Sequence, residues 1–398
     1  MTPEGQKAVV STTPLARVAD ARAPIVYGIV QPGPEIPSGV PFVQSRDVGG
    51  TIDTKALQRT SREIAEQYRR SKIAPGDILF SLRGNIGQSS MTPAELDGAN
   101  IARGVARIRV GGKFDPEFVR YTLQGPVLER LIARNANGST FRELSIEELR
   151  KLPIPDVGRS EQRKIAEVLR TWDAALEKLA VLRSAKEKRL DGLAAKLIHD
   201  DQVERVNLRD VLSEVSERNR GQRVGRVLSV TNSAGFVLAE DQFAHRVASA
   251  DLSNSKIVRR GQYAYNPSRI NVGSIARLDA WESGVLSPMY VVFKVRAGLD
   301  SDFFGHWLRS AEARQRISLA AQGSVRETVS FGDLGSILIP VPTIERQHAI
   351  SRVLNAGRDE IALLDAEIAA LTRQKRGLMQ KLLTGEWRVA AEATSPSN

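Results

Sequence analysis

The chain has 398 residues, which is more than one hydrophobic core usually supports, so two domains are expected. It has no cysteine and only four scattered histidines, which excludes disulfides and thiolate metal sites and disfavours a histidine-rich metal centre. Its 57 Lys and Arg outnumber 46 Asp and Glu, and the formal net charge of +11 favours an acidic partner, most economically nucleic acid.

The sequence shows no sign of membrane insertion or secretion. No apolar run is long enough for a membrane span, and the N-terminal stretch MTPEGQKAVVSTTPLARV lacks the features of a secretory signal. We therefore expect a cytoplasmic protein without membrane contact. The composition of residues 1–13 and 387–398 predicts a flexible N-terminus and a disordered C-terminal tail.

Residues 14–158 are predicted to form the first globular domain. The runs DILFSL and GVARIRV are typical of strands, and PEFVRYTLQGPVLERLIA is typical of a helical region. Residues 201–341 show the same mixture, with RVLSV, QYAYN and MYVVFKV followed by the helical stretch SDFFGHWLRSAEARQRISLAA. Strands interleaved with helices and Gly/Pro-rich turns predict an α/β fold of the mixed α+β kind in both domains.

Residues 159–200 are predicted to form one long helix. No proline occurs from Ser160 to Ile198, and a single Gly192 is tolerable. Apolar residues recur at the alternating 4-3 spacing of a coiled-coil seam, which Arg183 and Lys186 interrupt. The apolar seam positions are Ile165, Leu169, Trp172, Leu176, Leu179, Leu190, Leu193 and Leu197.

The chain contains an internal repeat, and residues 342–386 are predicted to form the second copy of the helix. Residues 138–169 align with residues 323–354 without a gap, at a constant offset of 185 residues. Adding 185 to each seam position of the first helix gives a matching seam in the second helix, where Gly357 and Lys375 occupy the two positions that are not apolar. The other positions are Ile350, Leu354, Ile361, Leu364, Ile368, Leu371, Leu378 and Leu382.

The simplest way to bury two matching apolar seams in one chain is to pack them against each other, which predicts an intramolecular antiparallel coiled coil. The alternative is that each helix lies on its own domain. About 35 residues at ~1.5 Å each give roughly 50 Å, which is longer than a domain of this size needs.

We find no catalytic motif. The loop at residues 266–269, Asn-Pro-Ser-Arg, resembles the loop with which DNA amino-methyltransferases grip a flipped base, but it lacks the second proline and the aromatic ring. The matched stretch FSLRGNIG lacks Asn-Pro altogether, and neither a glycine-rich cofactor loop nor a P-loop is present. A nuclease site built on Asp156, Glu161 and Arg163 lacks its lysine. The sequence therefore predicts a non-catalytic chain.

Two repeated segments are candidates for DNA contact. The first is a glycine-rich turn, GDILFSLRGNIG and GQYAYNPSRINVG, and the second comprises GSTFRELS and GSVRETVS. Arginine and asparagine at turns suit contacts with base edges or phosphates, whereas the alternative is that these residues only form turns and helix caps. The candidate residues are Arg83, Asn85, Ser139, Thr140, Arg142, Asn266, Arg269, Asn271, Ser324 and Arg326. Basic clusters at 183–189 and 373–376 are a solvated face, a phosphate contact or a docking surface.

The motifs LPIPDVGRSEQRKIAEVL, ILIPVPTIERQHAISRVL and KRGLMQKLLTGEWRV, together with GDILFSLRGNIG, resemble the DNA-specificity subunit of type I restriction–modification systems. The resemblance runs from about Leu15 to Trp387. It implies that each globular domain is a target-recognition domain reading one half of a bipartite site in double-stranded DNA. The two copies differ within the glycine-rich turn segment, where Asp77 of the first copy corresponds to Gln262 of the second.

The resemblance also implies partners. The coiled coil would set the spacer and dock two modification (methyltransferase) subunits, and restriction (motor–nuclease) subunits join them where a system has them. S-adenosylmethionine, ATP and Mg²⁺ would belong to those partners, and this chain would bind no cofactor. Two alternatives stay open: a structural coiled-coil adaptor, and a fragment of a single-chain restriction–methylation enzyme.

Overall fold

The computed structural model describes residues 10–136, 142–199, 202–242, 251–322 and 328–389. The chain divides into two compact units, the first formed by residues 1–180 with 367–398 and the second by residues 181–366. Each unit therefore contains one sheet-rich module and one half of each long helix. None of the described helices combines the length and the apolar character needed to cross a membrane.

The elements of the first repeat begin near the N-terminus and end with a long helix. The strands are β1 Thr12–Pro14, β2 Val26–Tyr27, β3 Val40–Val43, β4 Arg59–Thr60, β5 Ile78–Ser81, β6 Ser89–Met91, β7 Asn100–Ile101, β8 Val105–Ile108 and β9 Pro153–Pro155. The helices are α1 Leu15–Val18, α2 Arg62–Gln67, α3 Pro116–Gln124, α4 Pro126–Asn135, α5 Ile146–Lys151 and α6 Arg159–Ile198.

The elements of the second repeat follow the same plan. The strands are β10 Arg205–Asn207, β11 Leu212–Val215, β12 Leu228–Thr231, β13 Gly235–Leu238, β14 Lys256–Arg259, β15 Tyr263–Tyr265, β16 Ile275–Arg277, β17 Ser283–Leu286, β18 Val291–Val295 and β19 Leu338–Pro340. The helices are α7 Leu208–Val211, α8 Ala239–Gln242, α9 Ser301–Leu308, α10 Ala311–Gln322, α11 Phe331–Gly335 and α12 Ile344–Leu383.

Both modules are built on the same four-stranded antiparallel sheet. Its strand order is β2-β8-β5-β6 in the first unit and β11-β18-β15-β16 in the second. Around this sheet the modules differ, because the first adds the three-stranded sheet β4-β3-β7 and the second adds the hairpin β12-β13 and the two-stranded sheet β14-β17. The predicted mixed α/β fold and its tandem duplication are confirmed.

Each module is attached to its long helix by a buried glutamine. In the first unit, the backbone N–H of Asp115 donates to Oε1 of Gln162 at 2.7 Å, and the Asp115 carboxylate caps α3. In the second unit, the N–H of Asp300 donates to Oε1 of Gln347 at 2.6 Å, and Asp300 caps α9. Neither glutamine is exposed to solvent. The repeated contact explains why a polar residue recurs inside an apolar helix face.

In the first unit, the beginning of α6 packs antiparallel against the end of α12. Ile165 and Leu169 lie in the same buried cluster as Met379 and Leu382. The charged seam residue Lys375 is satisfied by an ion pair with Asp173. Asp173 also accepts a hydrogen bond from the Tyr121 hydroxyl at 2.6 Å.

In the second unit, the end of α6 packs antiparallel against the beginning of α12. A Cβ placed on Gly357 would lie 2.6 Å from Cδ1 of Leu190, so the glycine makes room for the leucine. The interrupting seam residue Arg183 pairs with Asp365 at 2.9 Å, and Lys186 likewise pairs with Glu360. All sixteen apolar seam positions that the sequence predicts are buried or half-buried.

The observed elements differ from several of the predicted boundaries. Thr12 and Thr13 belong to β1, which pairs with β9, so the ordered backbone begins inside the segment predicted to be flexible. The helices span 159–198 and 344–383 and not 159–200 and 342–386. Trp387 is not part of a disordered tail, because its N–H donates to the carbonyl of Lys381 and its ring lies 4.4 Å from the Lys381 ammonium. Residues 1–9 and 390–398 lie outside the described residues.

Candidate nucleic-acid interface

The structure brings the two candidate segments of the first module together. The turn after β5 (residues 82–88, the first turn) leads from Leu82, whose carbonyl accepts a hydrogen bond from the Leu144 N–H at 3.0 Å. Arg83 and Glu143 form an isolated antiparallel bridge next to it. The glycine-rich turn and the segment before α5 therefore form one surface.

The second module repeats this arrangement. The turn after β15 (residues 266–274, the second turn) contains Pro267, whose carbonyl accepts a hydrogen bond from the Val329 N–H at 3.1 Å. Pro267 and Val329 correspond to Leu82 and Leu144 at the offset of 185 residues. The duplication thus preserves the pairing of the two segments as well as the sheet.

The two candidate side chains of the first turn, Arg83 and Asn85, form hydrogen bonds within the protein. The Arg83 guanidinium pairs with the Glu143 carboxylate, and this hydrogen bond raises the pKa of Arg83. The Asn85 amide donates to the Val48 carbonyl at 2.8 Å and accepts from the Ser81 hydroxyl at 3.1 Å. These contacts give Arg83 and Asn85 a role in shaping the turn.

The second turn presents its polar side chains to solvent. Arg269 and Asn271 are exposed, and neither side chain has a hydrogen-bond partner among the described residues. Val272 is 58% exposed at the tip of the turn. Asn266 differs, because its Oδ1 accepts from the Ser268 N–H at 3.1 Å and so closes the turn. Gly273 has φ of +92°, a conformation that favours glycine.

Only part of the second candidate segment is described. Arg142 is exposed and lies just before the bridge formed by Glu143. The remaining candidates in these segments, Ser139, Thr140, Ser324 and Arg326, lie outside the described residues.

Two arginines beside the first turn escaped the sequence analysis. The Ser45 hydroxyl donates to the Gly104 carbonyl at 2.8 Å, and Gly104 also accepts from the Leu82 N–H. The flanking residues Arg46 and Arg103 are both exposed and therefore lie near the first turn. Arg46 and Arg103 belong to loops that are distant in sequence, so only the folded structure shows that both lie beside the first turn.

The two carboxylates that suggested a nuclease, Asp156 and Glu161, are engaged in separate ion pairs. Asp156 pairs with Lys113 at 2.9 Å, whereas Glu161 pairs with Arg388 at 2.6 Å. Across the described residues, no group of three or more His, Asp or Glu side chains is placed to hold a metal ion. The exposed side chains beside the two turns include the guanidinium groups of Arg46, Arg103 and Arg269 and the amide of Asn271, which suit phosphates and base edges.

Residues 36–186 match the family described as "Type I restriction modification DNA specificity domain". The chain is 27% identical over 248 residues to the type I restriction enzyme EcoBI specificity subunit of Escherichia coli, a match covering 62% of this chain and 50% of that protein. The chain thus spans about half the length of this relative. It is 22% identical over 371 residues to the putative type I restriction enzyme MjaX specificity subunit of Methanocaldococcus jannaschii, covering 85% of this chain and 86% of that one.

Solved structures show the same fold. The S subunit of a type I restriction–modification system from M. genitalium has a TM-score of 0.55 at 17% identity, covering 96% of this chain and 99% of that one. A chain from a study of the assembly and conformational transition of the type I R-M system has a TM-score of 0.58 at 15% identity, covering 97% and 100%. The family resemblance that the motifs predict is confirmed.

Proposed function

We propose that this chain, whose residues 36–186 carry the DNA specificity domain of type I restriction–modification systems, is the subunit that selects the DNA sequence on which such a system acts. It contributes no catalytic group, and methylation and cleavage belong to separate subunits. The proposal rests on the family match, the basic charge and the surface chemistry of the two modules.

One observation carries the proposal: the same turn on the same sheet shows different side chains in the two modules. The second turn exposes Arg269, Asn271 and Val272, whereas Arg83 and Asn85 of the first turn are hydrogen-bonded within their module and the exposed Arg46 and Arg103 flank that turn. Arginine pairs with guanine, asparagine with adenine, and an apolar side chain contacts the thymine methyl group. Two such surfaces on one scaffold suit a bipartite target with two different half-sites in double-stranded DNA.

We assign the spacer of the target to the helix pair. Each long helix has 40 residues and contributes to both units, which corresponds to roughly 60 Å at ~1.5 Å per residue. A continuous helix is stiff, so it would hold the number of unread base pairs constant.

The helices also offer a surface for partners. Within the second unit, Val181 is 65% exposed and Leu363 71% exposed, both outside the seam. Single exposed apolar residues are common on protein surfaces, so the proposal of docking rests mainly on the resemblance to type I specificity subunits. We propose that two modification subunits bind the helix pair and that restriction subunits join where the system contains them. S-adenosylmethionine, ATP and Mg²⁺ are then used by those subunits.

The proposed function is tested by co-expressing the chain with a modification subunit and mapping methylated positions across a host genome by single-molecule sequencing. We expect a bipartite motif with a fixed spacer that disappears when the chain is omitted. A stable complex without any motif would indicate a structural adaptor. Methylation by the chain alone would indicate a fragment of a single-chain enzyme.

A pair of variants locates the reading surface. R269A/N271A should relax or abolish one half-site while the other half-site and the spacer persist, since each bidentate pair discriminates by about 1–3 kcal/mol. The matched control is R296A. Arg296 follows the last residue of β18. Because β15 and β18 are antiparallel, this position lies at the far end of the sheet from the second turn, so the variant should leave the motif unchanged. An unchanged motif in R269A/N271A would refute the assignment of the second turn to base reading.

A further inference from the structure

An arginine-rich loop of the second unit has no role in the fold described so far. Residues 216–226, SERNRGQRVGR, contain four arginines and one glutamate, and we call this segment the arginine loop. It follows β11 directly. Such a concentration of positive charge makes the loop a candidate for binding an anion.

The topology places the arginine loop at the same end of the sheet as the second turn. Val215, the last residue of β11, pairs with Val292, and Tyr265, the last residue of β15, pairs with Val291. The two strands thus run in the same direction and finish at the same end of the sheet, with β18 between them. Two strand spacings amount to roughly 10 Å, which is close to the width of about 12 Å of a DNA major groove.

The arginine loop is held in one conformation by a buried asparagine. Asn219 is 2% exposed, and its amide both donates to the Val224 carbonyl at 2.9 Å and accepts from the Val224 N–H at 3.2 Å. Its backbone N–H donates to the Ser255 carbonyl at 3.0 Å. Gln222 adopts φ of +48° at the tip. The conformational cost of ordering the loop is therefore met in the free protein, as suits a preformed binding surface.

Two of the arginines lack acceptors among the described residues. Arg218 donates to the Asn254 carbonyl at 2.7 Å, and the Arg226 guanidinium lies 5.8 Å from the Trp281 ring. Arg220 and Arg223 are exposed and have no such contact. The one glutamate of the loop does not neutralise them, because Glu217 forms a bidentate ion pair with Arg259 at 2.6 and 3.1 Å.

We infer that Arg220 and Arg223 bind DNA phosphates beside the half-site that the second turn reads, and that they supply sequence-independent affinity. This inference rests on the proposed function. The corresponding segment of the first unit, residues 28–39 after β2, reads GIVQPGPEIPSG and contains no lysine or arginine. At this position of the repeat, only the second module carries arginines.

The test uses the full chain assembled with the modification subunit and measures affinity for labelled duplexes by fluorescence anisotropy between about 50 and 200 mM salt. One duplex carries the mapped target and the other a scrambled sequence. In R220A/R223A, two lost phosphate contacts should make the slope of log K against log[salt] shallower by about 1.8. Affinity should fall for both duplexes by a similar factor.

The lysine variant R220K/R223K is the matched control. A point charge still binds a phosphate, so this variant should keep the salt slope of the unchanged chain. Thermal melting of both variants shows whether they are folded. An unchanged slope in folded R220A/R223A overturns the inference while leaving the proposed function intact. A loss confined to the target duplex also overturns it, because the loop would then read bases. Failure of the unchanged chain to prefer the target duplex refutes the proposed function itself.

Discussion

Replacing Gln347 by leucine should strongly destabilise the second unit. The Gln347 side chain is fully buried, accepts the Asp300 N–H, and donates to the carbonyls of Gly298 at 2.9 Å and Pro342 at 2.8 Å. Leucine has a similar volume but leaves all three backbone groups unsatisfied. Each such group costs about 1–3 kcal/mol, and the added apolar burial offsets only part of this. We expect a net loss of about 3 kcal/mol.

Hydrogen exchange measures this loss locally, which matters because a chain of two units need not unfold in a single step. The amides of α9 that Asp300 caps should exchange about 150-fold faster in Q347L, as a loss of about 3 kcal/mol implies. The control Q374L changes an exposed glutamine on the same helix and should stay within about 0.5 kcal/mol of the unchanged chain. Equal exchange of α9 in Q347L and Q374L would refute the reasoning.

Two further predictions concern charged and titratable groups. Burial lowers the pKa of His306, whose Nε2 lies 2.8 Å from Oδ1 of Asn355. As the pH falls, the imidazole therefore becomes protonated at a higher pH in the unfolded chain than in the folded chain. Stability should therefore decrease below about pH 6.5, and H306Q should weaken this dependence in melting curves recorded at several pH values. If H306Q retained the full pH dependence, the explanation would fail. K375E should destabilise the helix pair of the first unit by about 1–2 kcal/mol through repulsion with Asp173, whereas K375M should cost less. Equal chemical unfolding of the two variants would contradict this.

The sequence predicted the repeated architecture because its signals are local or periodic. The seam follows from apolar spacing along one helix, and the strands β5 and β15 follow from short apolar runs next to glycine. The departure at Asp77 and Gln262 also has a local explanation. Asp77 accepts the Ala74 N–H, and Gln262 accepts the Arg259 N–H, so both side chains close the same turn. Here one hydrogen-bond acceptor replaces another without a change of fold.

The binding surface was less predictable because it depends on contacts between distant segments. Arg83 and Arg269 align in the repeat and look equally suitable for DNA contact. Only the folded chain shows that Glu143 occupies Arg83, whereas Arg269 has no such partner among the described residues. The high arginine content of residues 216–226 is visible in the sequence, but the position of this loop near the second turn depends on the order of strands in the sheet.

The seam shows how the two halves of a repeat become complementary to each other. Leu190 and Lys375 are equivalent at the offset of 185 residues, yet Leu190 packs against Gly357 and Lys375 pairs with Asp173. Gly357 is itself equivalent to Trp172. If α6 paired with a second copy of α6, Trp172 would face Leu190 where the intact chain has a glycine. Overpacking of this kind costs about 1–3 kcal/mol, so the divergence of the copies favours pairing of α6 with α12.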